Sequence, residues 1–314
     1  MVDAAPIFVL GSFVAACSAK VARLPMAGES LLASHFVLEP GGKGFNLAAG
    51  ARRLNLAVDG LLAVGTDLFA DFAQSALRRA ELPLGMLVRH DGPSGAGIGF
   101  IQEDGENCLA VFPGANAKLS AAEIMQAAGR ITSAKLLLAQ FEITDEPIER
   151  AFALARQAGG ATLLNPSPYR DIRPAILANT SILAVNRVEA QFLARQYGLE
   201  TDHAEGLNQL ARALFAQGLE ALIVTQGAQG AWLWEKPSDP YWQPPFKVAA
   251  VDTLGAGDAF IAGFAAALVE GLAPPHCMRW AAAAGAIATT RPGVFQALPN
   301  RAQLRKILAA QAGT

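Results

Sequence analysis

This 314-residue chain has no large excess of either positive or negative charge, since it contains 25 lysine and arginine residues and 27 aspartate and glutamate residues. The resulting net charge of −2 gives no support for binding to the phosphates of a nucleic acid or to an anionic membrane. The longest apolar stretches, near residues 259–269 and 281–289, are well short of the roughly 20 residues that cross a bilayer. We therefore expect neither nucleic acid nor membrane as a partner, and we interpret both stretches as buried helices.

Cysteine is also scarce. Cys17, Cys108 and Cys277 are odd in number, far apart and not in C-x-x-C spacing. This pattern argues against a disulfide framework and against a structural zinc site. The first residues lack the basic region of a secretion signal. We therefore expect a protein of the reducing cytoplasm.

Apolar sequence is abundant, since 52% of the residues are hydrophobic and 17% are charged, which is enough for a packed core. Strand-like apolar runs lie at residues 7–13, 60–64, 136–141, 162–164, 182–185 and 221–225. Helical spacing follows each of the last four. This alternation predicts an α/β fold with a mostly parallel sheet flanked by helices on both faces. Such sheets bind ligands at the carboxyl ends of their strands.

Two regions interrupt the alternation. Residues 14–38 and 95–113 contain short extended segments, and the second region has an Asp104-Gly105 turn between its two strands. We expect these segments to form a small separate sheet within one domain that spans residues 1–314. The alternative for the second region is a solvent-facing hairpin with no further role.

A glycine-rich turn opens an apolar helical run late in the chain and follows a strand-like segment around Val251. Gly255, Ala256 and Gly257 would direct unpaired backbone N–H groups of the helix start at a bound phosphate. Asp258 follows in the first turn, where a carboxylate can accept the proton of an attacking hydroxyl. The combination predicts phosphoryl transfer; the alternative is a plain strand-to-helix turn that Asp258 caps.

A second glycine-rich turn, Gly41-Gly42-Lys43-Gly44-Phe45-Asn46, also opens an apolar helical run. Two such turns, about two hundred residues apart, could face two ligands. The P-loop pattern G-x-x-x-x-G-K-[ST] is absent, so we expect Lys43 to contribute its backbone rather than its amine.

Together the two turns resemble the signatures of the ribokinase-like (PfkB) carbohydrate kinases, a G-G-K-G-x-N near the N-terminus and a D-T-x-G-A-G-D toward the C-terminus. Other segments that match the family in order are Gly28-Glu29, Gly114-Ala115-Asn116, Asn165-Pro166, Asn186-Arg187-Val188-Glu189, Thr225-Gln226-Gly227-Ala228-Gln229-Gly230 and Thr290-Arg291-Pro292-Gly293. The resemblance covers nearly the whole chain. It implies a ribokinase-like fold whose small β-sheet is a lid over the sugar and pairs with a second subunit in a homodimer.

The resemblance further implies an ATP-dependent carbohydrate kinase that phosphorylates a primary hydroxyl of a sugar. Asp258 would be the general base, and the N–H groups of Gly255, Ala256 and Gly257 would stabilise charge on the transferred group. The ATP-binding positions that it implies are Asn186, Thr225, Gly227, Gly230 and Gly257. From the residues alone, the segment around Gly227 fits a simple β-turn equally well.

Two cation sites are implied as well. Asn186 and Glu189 resemble the family pair that positions Mg²⁺, through water because magnesium keeps part of its hydration shell. Their spacing also fits a capping box at a helix start. Matches to the family's monovalent-cation (potassium) site are Asp252, Leu254, Ala288, Arg291 and Gly293. Leu254 replaces the usual threonine, and Ala297 lacks the serine hydroxyl of ribokinases.

For the acceptor, Gly42, Asn46, Glu142 and Asp258 stand where ribokinases contact the sugar. Their many hydrogen-bond acceptors suit a polyhydroxylated substrate.

The acceptor positions also depart from the family. Val14 and Ala16 replace an asparagine and an aspartate that hold sugar hydroxyls in ribokinases. The loss of these two polar side chains weakens ribose binding unless other polar groups take their place. Ribose and a deoxy sugar are both candidates, and the alternative is a nucleoside or sugar-acid kinase of the same fold. A nicotinamide dehydrogenase is disfavoured because no G-x-G-x-x-G follows the first strand. A non-catalytic sugar sensor is disfavoured because Asp258 is present.

Overall fold

Strands and helices alternate through the computed structural model, which describes residues 6–102, 107–201 and 203–310. The Asp104-Gly105 turn lies outside these described residues. Within them, no helix combines the length and the apolar composition needed to cross a membrane.

Thirteen strands are formed by the described residues. They are β1 (Ile7–Ser12), β2 (Val14–Val21), β3 (His35–Gly41), β4 (Val58–Val64), β5 (Leu87–Arg89), β6 (Gly95–Gln102), β7 (Asn107–Phe112), β8 (Leu136–Gln140), β9 (Ala161–Asn165), β10 (Ile182–Asn186), β11 (Ala221–Thr225), β12 (Ala231–Glu235) and β13 (Tyr241–Gln243).

The helices share one property, which is that each buries at least one side chain against the rest of the molecule. They are α1 (Lys43–Arg53), α2 (Leu68–Arg79), α3 (Ala121–Gln126), α4 (Ala128–Ser133), α5 (Asp145–Gln157), α6 (Pro174–Leu177), α7 (Arg187–Arg195), α8 (Ala204–Ala216), α9 (Ala256–Val269), α10 (Pro274–Ala288) and α11 (Arg301–Ala310).

Nine strands form the main sheet in the order β13-β12-β11-β10-β9-β8-β1-β4-β5. The pairs from β11 through β5 are parallel, and β12 and β13 are antiparallel additions at one edge. Strand β1 is buried along its whole length, as expected for a central strand covered on both faces. The predicted mostly parallel sheet is confirmed.

A hydrophobic core lies on each face of the main sheet. One core is made with α1, α2, α9, α10 and α11. The other is made with α3 to α8. Helix α9 is apolar nearly all round and buries ten residues, because it lies between α1 and α10. The prediction of helices on both faces, including buried helices near residues 259–269 and 281–289, is therefore confirmed.

Two predictions about the late part of the chain are wrong. β11 is followed by the antiparallel strands β12 and β13 and not by a helix, because Gly227 and Gly230, both at positive φ, reverse the chain before an aromatic strand sequence. The segment before Gly255 is not a strand either. Residues 244–254 contain no strand, since Pro244 and Pro245 cannot donate to a ladder.

The small sheet contains four strands in the order β3-β2-β6-β7, built from the two regions that interrupt the alternation. Paired residues share a face, so the inner face carries Val14, Ala16, Glu39, Gly97 and Gly99. The outer face carries Phe36, Leu38, Ile98 and Phe112, all exposed. On β6, Gly97 and Gly99 are buried whereas Ile98 is 59% exposed, so this strand turns its inner face towards the rest of the molecule; on the edge strand β7, Leu109 and Val111 of the same face are exposed.

The packing of α9 on α10 depends on a glycine. A methyl group added at Gly263 would lie 2.8 Å from the Ala284 Cβ and 2.9 Å from the Trp280 carbonyl oxygen. We predict that Gly263→Val lowers the free energy of unfolding by about 1–3 kcal/mol, because overpacking pushes the two helices apart.

Thermal or urea denaturation followed by circular dichroism checks this prediction. The matched control is Gly129→Ala in α4, where a methyl group meets nothing within 4 Å and should be neutral or slightly stabilising. Equal stability of the Gly263→Val variant and the parent would contradict the close packing.

Candidate active site

The site lies where the order of the main sheet reverses. After β1 the chain adds β4 and β5 on one side and later β8 on the other, so the connections leave β1 in opposite directions. A crevice at the carboxyl ends of the strands is expected at such a point. A cavity of about 120 Å³ opens close to it. Its lining is Lys43, Asn165, Ser167, Ala184, Val185, Asn186, Glu189, Thr225, Gly255, Gly257, Asp258 and Ile261.

Helix α9 begins at this cavity. Its N-cap is Gly255, whose φ of 71° is left-handed and whose Cα lies against the Val294 side chain, so a larger residue is excluded there. Gly255 and Gly257 line the cavity, whereas the Ala256 amide donates to the Thr253 carbonyl oxygen at 3.3 Å. The partial positive charge of the helix start is therefore directed into the cavity through the two glycines.

Asp258 is buried in the first turn of α9 and meets two residues from α1. The Asn46 Nδ2 donates to one carboxylate oxygen at 2.8 Å, and the Lys43 Nζ lies 3.7 Å from the other. The negative charge of Asp258 raises the pKa of the Lys43 amine. Burial of the amine opposes this rise but is the smaller effect. The side chain of Lys43 thus lines the cavity beside Asp258, so the expectation of a backbone role alone missed it.

Asn46 has one buried atom without a protein partner. Its Oδ1 makes no hydrogen bond, although the side chain is nearly fully buried and its Nδ2 is bound to Asp258. A buried polar atom left unpaired costs about 1–3 kcal/mol, and Asn46 is bonded to Asp258, which lines the cavity, so this atom is a candidate partner for a ligand's donor group. A hydroxyl group is one donor that fits.

Glu142 holds the second glycine-rich turn. One of its carboxylate oxygens accepts from the Ser12 Oγ at 2.5 Å and from the Lys43 amide, the first of α1, at 2.8 Å. Gln140 supports this arrangement, since its Nε2 donates to Ser12 and its Oε1 accepts from the Glu142 amide. Glu142 therefore stabilises the start of α1 and links it to β8 and β1.

No sequence motif indicated that Ser12 and Gln140 support Glu142. They belong to no glycine-rich motif, and only the register of β1 and β8 brings them together. Gly42, the N-cap of α1, has a φ of 90°, and a methyl group there would lie 2.9 Å from the Ser12 carbonyl oxygen. This close approach of β1 to the turn requires glycine.

Asn186 and Glu189 form a complete capping box at α7. The Asn186 Oδ1 accepts from the Glu189 amide, and Glu189 accepts from the Asn186 amide, both at 2.9 Å. Both residues also line the cavity, and Glu189 is buried. The two residues therefore form the capping box of the alternative interpretation. They also line the cavity, so the capping box and a role in the cavity are compatible.

Of the other predicted nucleotide positions, Thr225 lines the cavity at the end of β11. Gly227 and Gly230 lie beside it in the turn between β11 and β12, where the Gly230 amide donates to the Gly227 carbonyl oxygen. The segment Gly227–Gln229 forms a single turn of 3₁₀ helix, and its assignment to ATP stays a prediction.

Asp252 joins the two segments predicted to hold a monovalent cation. Its carboxylate accepts from the Leu254 amide at 2.9 Å and from the Gly293 amide at 3.0 Å. Ala288 is the last residue of α10, directly before these contacts, and Arg291 is exposed in the turn that follows. The five positions are therefore brought to one loop junction.

Glu39 reaches this junction from the small sheet. A methyl group added at Gly293 would lie 2.9 and 3.0 Å from its two carboxylate oxygens. Burial raises the pKa of the Glu39 carboxyl, a hydrogen bond from the Val294 amide opposes the rise, and the charge of Asp252 adds to it. No sequence motif indicated this residue.

The chain is similar in sequence to known carbohydrate kinases. The family model of the pfkB family carbohydrate kinases matches residues 4–301. The chain is 32% identical to a deoxyribokinase of Salmonella typhi over 308 residues, which cover 96% of this chain and 98% of that protein. It is 29% identical to a ribokinase of Haemophilus influenzae over 302 residues, with 96% and 97% covered.

Solved structures agree in fold. The structure of Arabidopsis thaliana ribokinase complexed with ribose and ATP superposes with a TM-score of 0.89 at 29% identity, covering 97% of this chain and 99% of that one. A ribokinase from Thermotoga maritima superposes with a TM-score of 0.88 at 28% identity and the same coverage.

Proposed function

Because the chain belongs to the pfkB family of carbohydrate kinases, which are ATP-dependent phosphotransferases, we propose that it transfers the terminal phosphoryl group of ATP to a primary hydroxyl of a sugar. The observation that carries the proposal is the group formed by Asp258 and Asn46. A buried carboxylate lies at a helix start, and beside it an unpaired amide oxygen faces no protein donor. These are a base, an anion site and an acceptor for a second hydroxyl.

In this proposal Asp258 takes the proton of the attacking hydroxyl. Asn46 holds the carboxylate in position through its Nδ2, and its Oδ1 accepts a hydrogen bond from a neighbouring hydroxyl of the sugar. The amides of Gly255 and Gly257, together with the Lys43 amine, stabilise the charge that develops on the transferred group, whereas the predicted contribution of the Ala256 amide is not part of the proposal because that amide donates to Thr253. Glu142 contributes by fixing the start of α1 on which Lys43 and Asn46 are carried.

Magnesium fits the opposite wall of the cavity. The Asn186 and Glu189 oxygens that line it already accept backbone N–H groups, so they would hold the ion through its water molecules rather than directly. Bound Mg²⁺ would neutralise charge on the phosphate oxygens of ATP. Thr225, Gly227 and Gly230 lie on the same side and are assigned to ATP.

A potassium ion fits the junction at Asp252. The carboxylate supplies a negative charge, and its two hydrogen bonds hold the Leu254 and Gly293 segments together. We infer that Asp252 and the backbone of Leu254, Ala288, Arg291 and Gly293 bind this cation beside the start of α9.

The acceptor is inferred to be a pentose. The relatives named above are a deoxyribokinase and ribokinases. Val14 and Ala16 lie on the inner face of the small sheet and offer no polar group, so hydroxyls of the sugar at this face need other partners, and ribose and 2-deoxyribose are both candidates.

The small sheet is inferred to be both a lid and a dimer interface. Its inner face is turned towards the body, and its outer face exposes Phe36, Leu38, Ile98 and Phe112 in one apolar patch. Pairing of two such patches in a homodimer would remove them from water.

The separate free cysteines agree with a location in the reducing cytoplasm, which stays a prediction.

We predict that Asp258→Asn lowers kcat by about 10²–10⁴-fold on whichever pentose the parent uses best, because the variant has no base to accept the hydroxyl proton. A coupled assay of ADP release over a panel of pentoses, hexoses, sugar acids and nucleosides measures turnover, and calorimetry should show that ATP binding is retained. The control is Asp239→Asn at an exposed loop carboxylate. Turnover of Asp258→Asn within about tenfold of the parent would refute the role of base.

Glu189→Gln separates magnesium binding from capping. Glutamine can still accept the Asn186 amide, so stability should be unchanged, while the Mg²⁺ concentration for half-maximal rate should rise several-fold with the loss of charge. Glu189→Ala, the companion variant, should also lose about 1 kcal/mol of stability. A magnesium titration that does not differ from that of the parent would restrict Glu189 to capping α7.

The dimer is tested at the centre of the outer patch. We predict that Ile98→Asp converts a dimeric parent into a monomer, because pairing would bury an unpaired charge. Analytical ultracentrifugation measures the mass, with Leu68→Asp as the control, since Leu68 is 86% exposed on α2 outside the small sheet. A parent that is monomeric at micromolar concentration would contradict the proposed dimer.

A further inference from the structure

Glu39 is the one carboxylate in the four strands of the small sheet. It pairs in register with Ala16 on the neighbouring strand β2, so the two side chains leave the same, inner face. The lysine, histidine and serine of that face, Lys20, His35 and Ser18, lie two or four residues farther along the strands.

The surroundings of Glu39 on this face offer little else for recognition. Val14 and Ala16 are apolar, Gly97 and Gly99 have no side chain, and the apolar Leu109 of β7 lies next to the two glycines, so no polar side chain stands directly beside the carboxylate on this face. Polar recognition by this part of the small sheet therefore depends on Glu39.

Glu39 also lies close to the start of α9. Its carboxylate contacts Gly293 and accepts from the Val294 amide, and the Val294 side chain packs on Gly255, the N-cap of the helix that carries Asp258. Among the described residues, no lysine, arginine or histidine forms a salt bridge with Glu39. One amide donor leaves most of the accepting capacity of the carboxylate unused.

We propose that Glu39 is a specificity-determining residue that binds a vicinal pair of hydroxyls on the acceptor sugar, at the edge away from the transferred phosphoryl group. This inference rests on the proposed function. A carboxylate whose two oxygens can still accept hydrogen bonds binds adjacent hydroxyls in a bidentate manner. The negative charges of Glu39 and Asp252 disfavour a phosphate group at this place relative to uncharged hydroxyls. On a pentose ring phosphorylated at its primary hydroxyl, the available pair is formed by the 2- and 3-hydroxyls.

The test compares Glu39→Gln with the parent on D-ribose and on 2-deoxy-D-ribose, at saturating ATP, Mg²⁺ and potassium. Glutamine is isosteric and can still accept from Val294, so the fold should be retained, which thermal denaturation checks. We expect KM for ribose to rise about tenfold or more with kcat changed less than about threefold, because a ground-state contact is lost. For 2-deoxyribose, which lacks one of the two hydroxyls, KM should rise less than about threefold.

Asp71→Asn is the matched control, because it removes an exposed carboxylate from α2, a helix that contacts β2 and β3. Its KM values should equal those of the parent. If the parent uses neither sugar, the best acceptor of the panel and its deoxy analogue replace them.

Three results would overturn the inference. One is an unchanged KM in Glu39→Gln, another is an equal rise for both sugars, and the third is a change confined to the potassium concentration required. A parent that phosphorylates no sugar would instead refute the proposed function, so the two failures are distinguishable.

Discussion

The hydrogen bond between Asn46 and Asp258 joins residues 212 positions apart, and the geometry of the site depends on it. Each residue lies in the first turns of a helix, α1 or α9, and both helices begin at the same edge of the main sheet. A charge-assisted bond of this kind contributes about 1.5–3 kcal/mol, but its larger effect is that it offsets the cost of burying the carboxylate. Without it, the Lys43 amine, 3.7 Å away, would be the remaining polar partner of the buried Asp258 carboxylate among the described residues.

The meeting of α1 and α9 is prepared by small residues and by Glu142. A methyl group at Gly50 of α1 would lie 2.8 Å from the Ala262 Cβ of α9, so the two helices are as close as their side chains allow. Glu142 then fixes the start of α1 to β8 and β1 through Ser12 and the Lys43 amide. The acceptor side of the site is therefore fixed on the body of the protein.

Much of the fold and part of the site could be predicted from sequence for a physical reason. Strands that are buried on both faces read as continuous apolar runs, and helix starts with glycine turns are local features. Asp258, Asn46 and the capping box of Asn186 and Glu189 were found in this way. The strand predicted before Gly255 was wrong, since Pro244 and Pro245 end the ladder and leave the turn to be held by the contacts of Asp252.

What the sequence could not provide was register. Ser12, Gln140 and Glu39 carry no motif, and each acquires a role only from the strand or loop that it faces. Lys43 is a further example. Its glycine neighbours indicated a backbone role, but the position of α9 brings its amine to Asp258. A substitution on one side of a sheet pair, such as the apolar Ala16, can therefore be balanced by its cross-strand partner. Acceptor preference in this fold should be judged from such pairs of positions rather than from single motif residues.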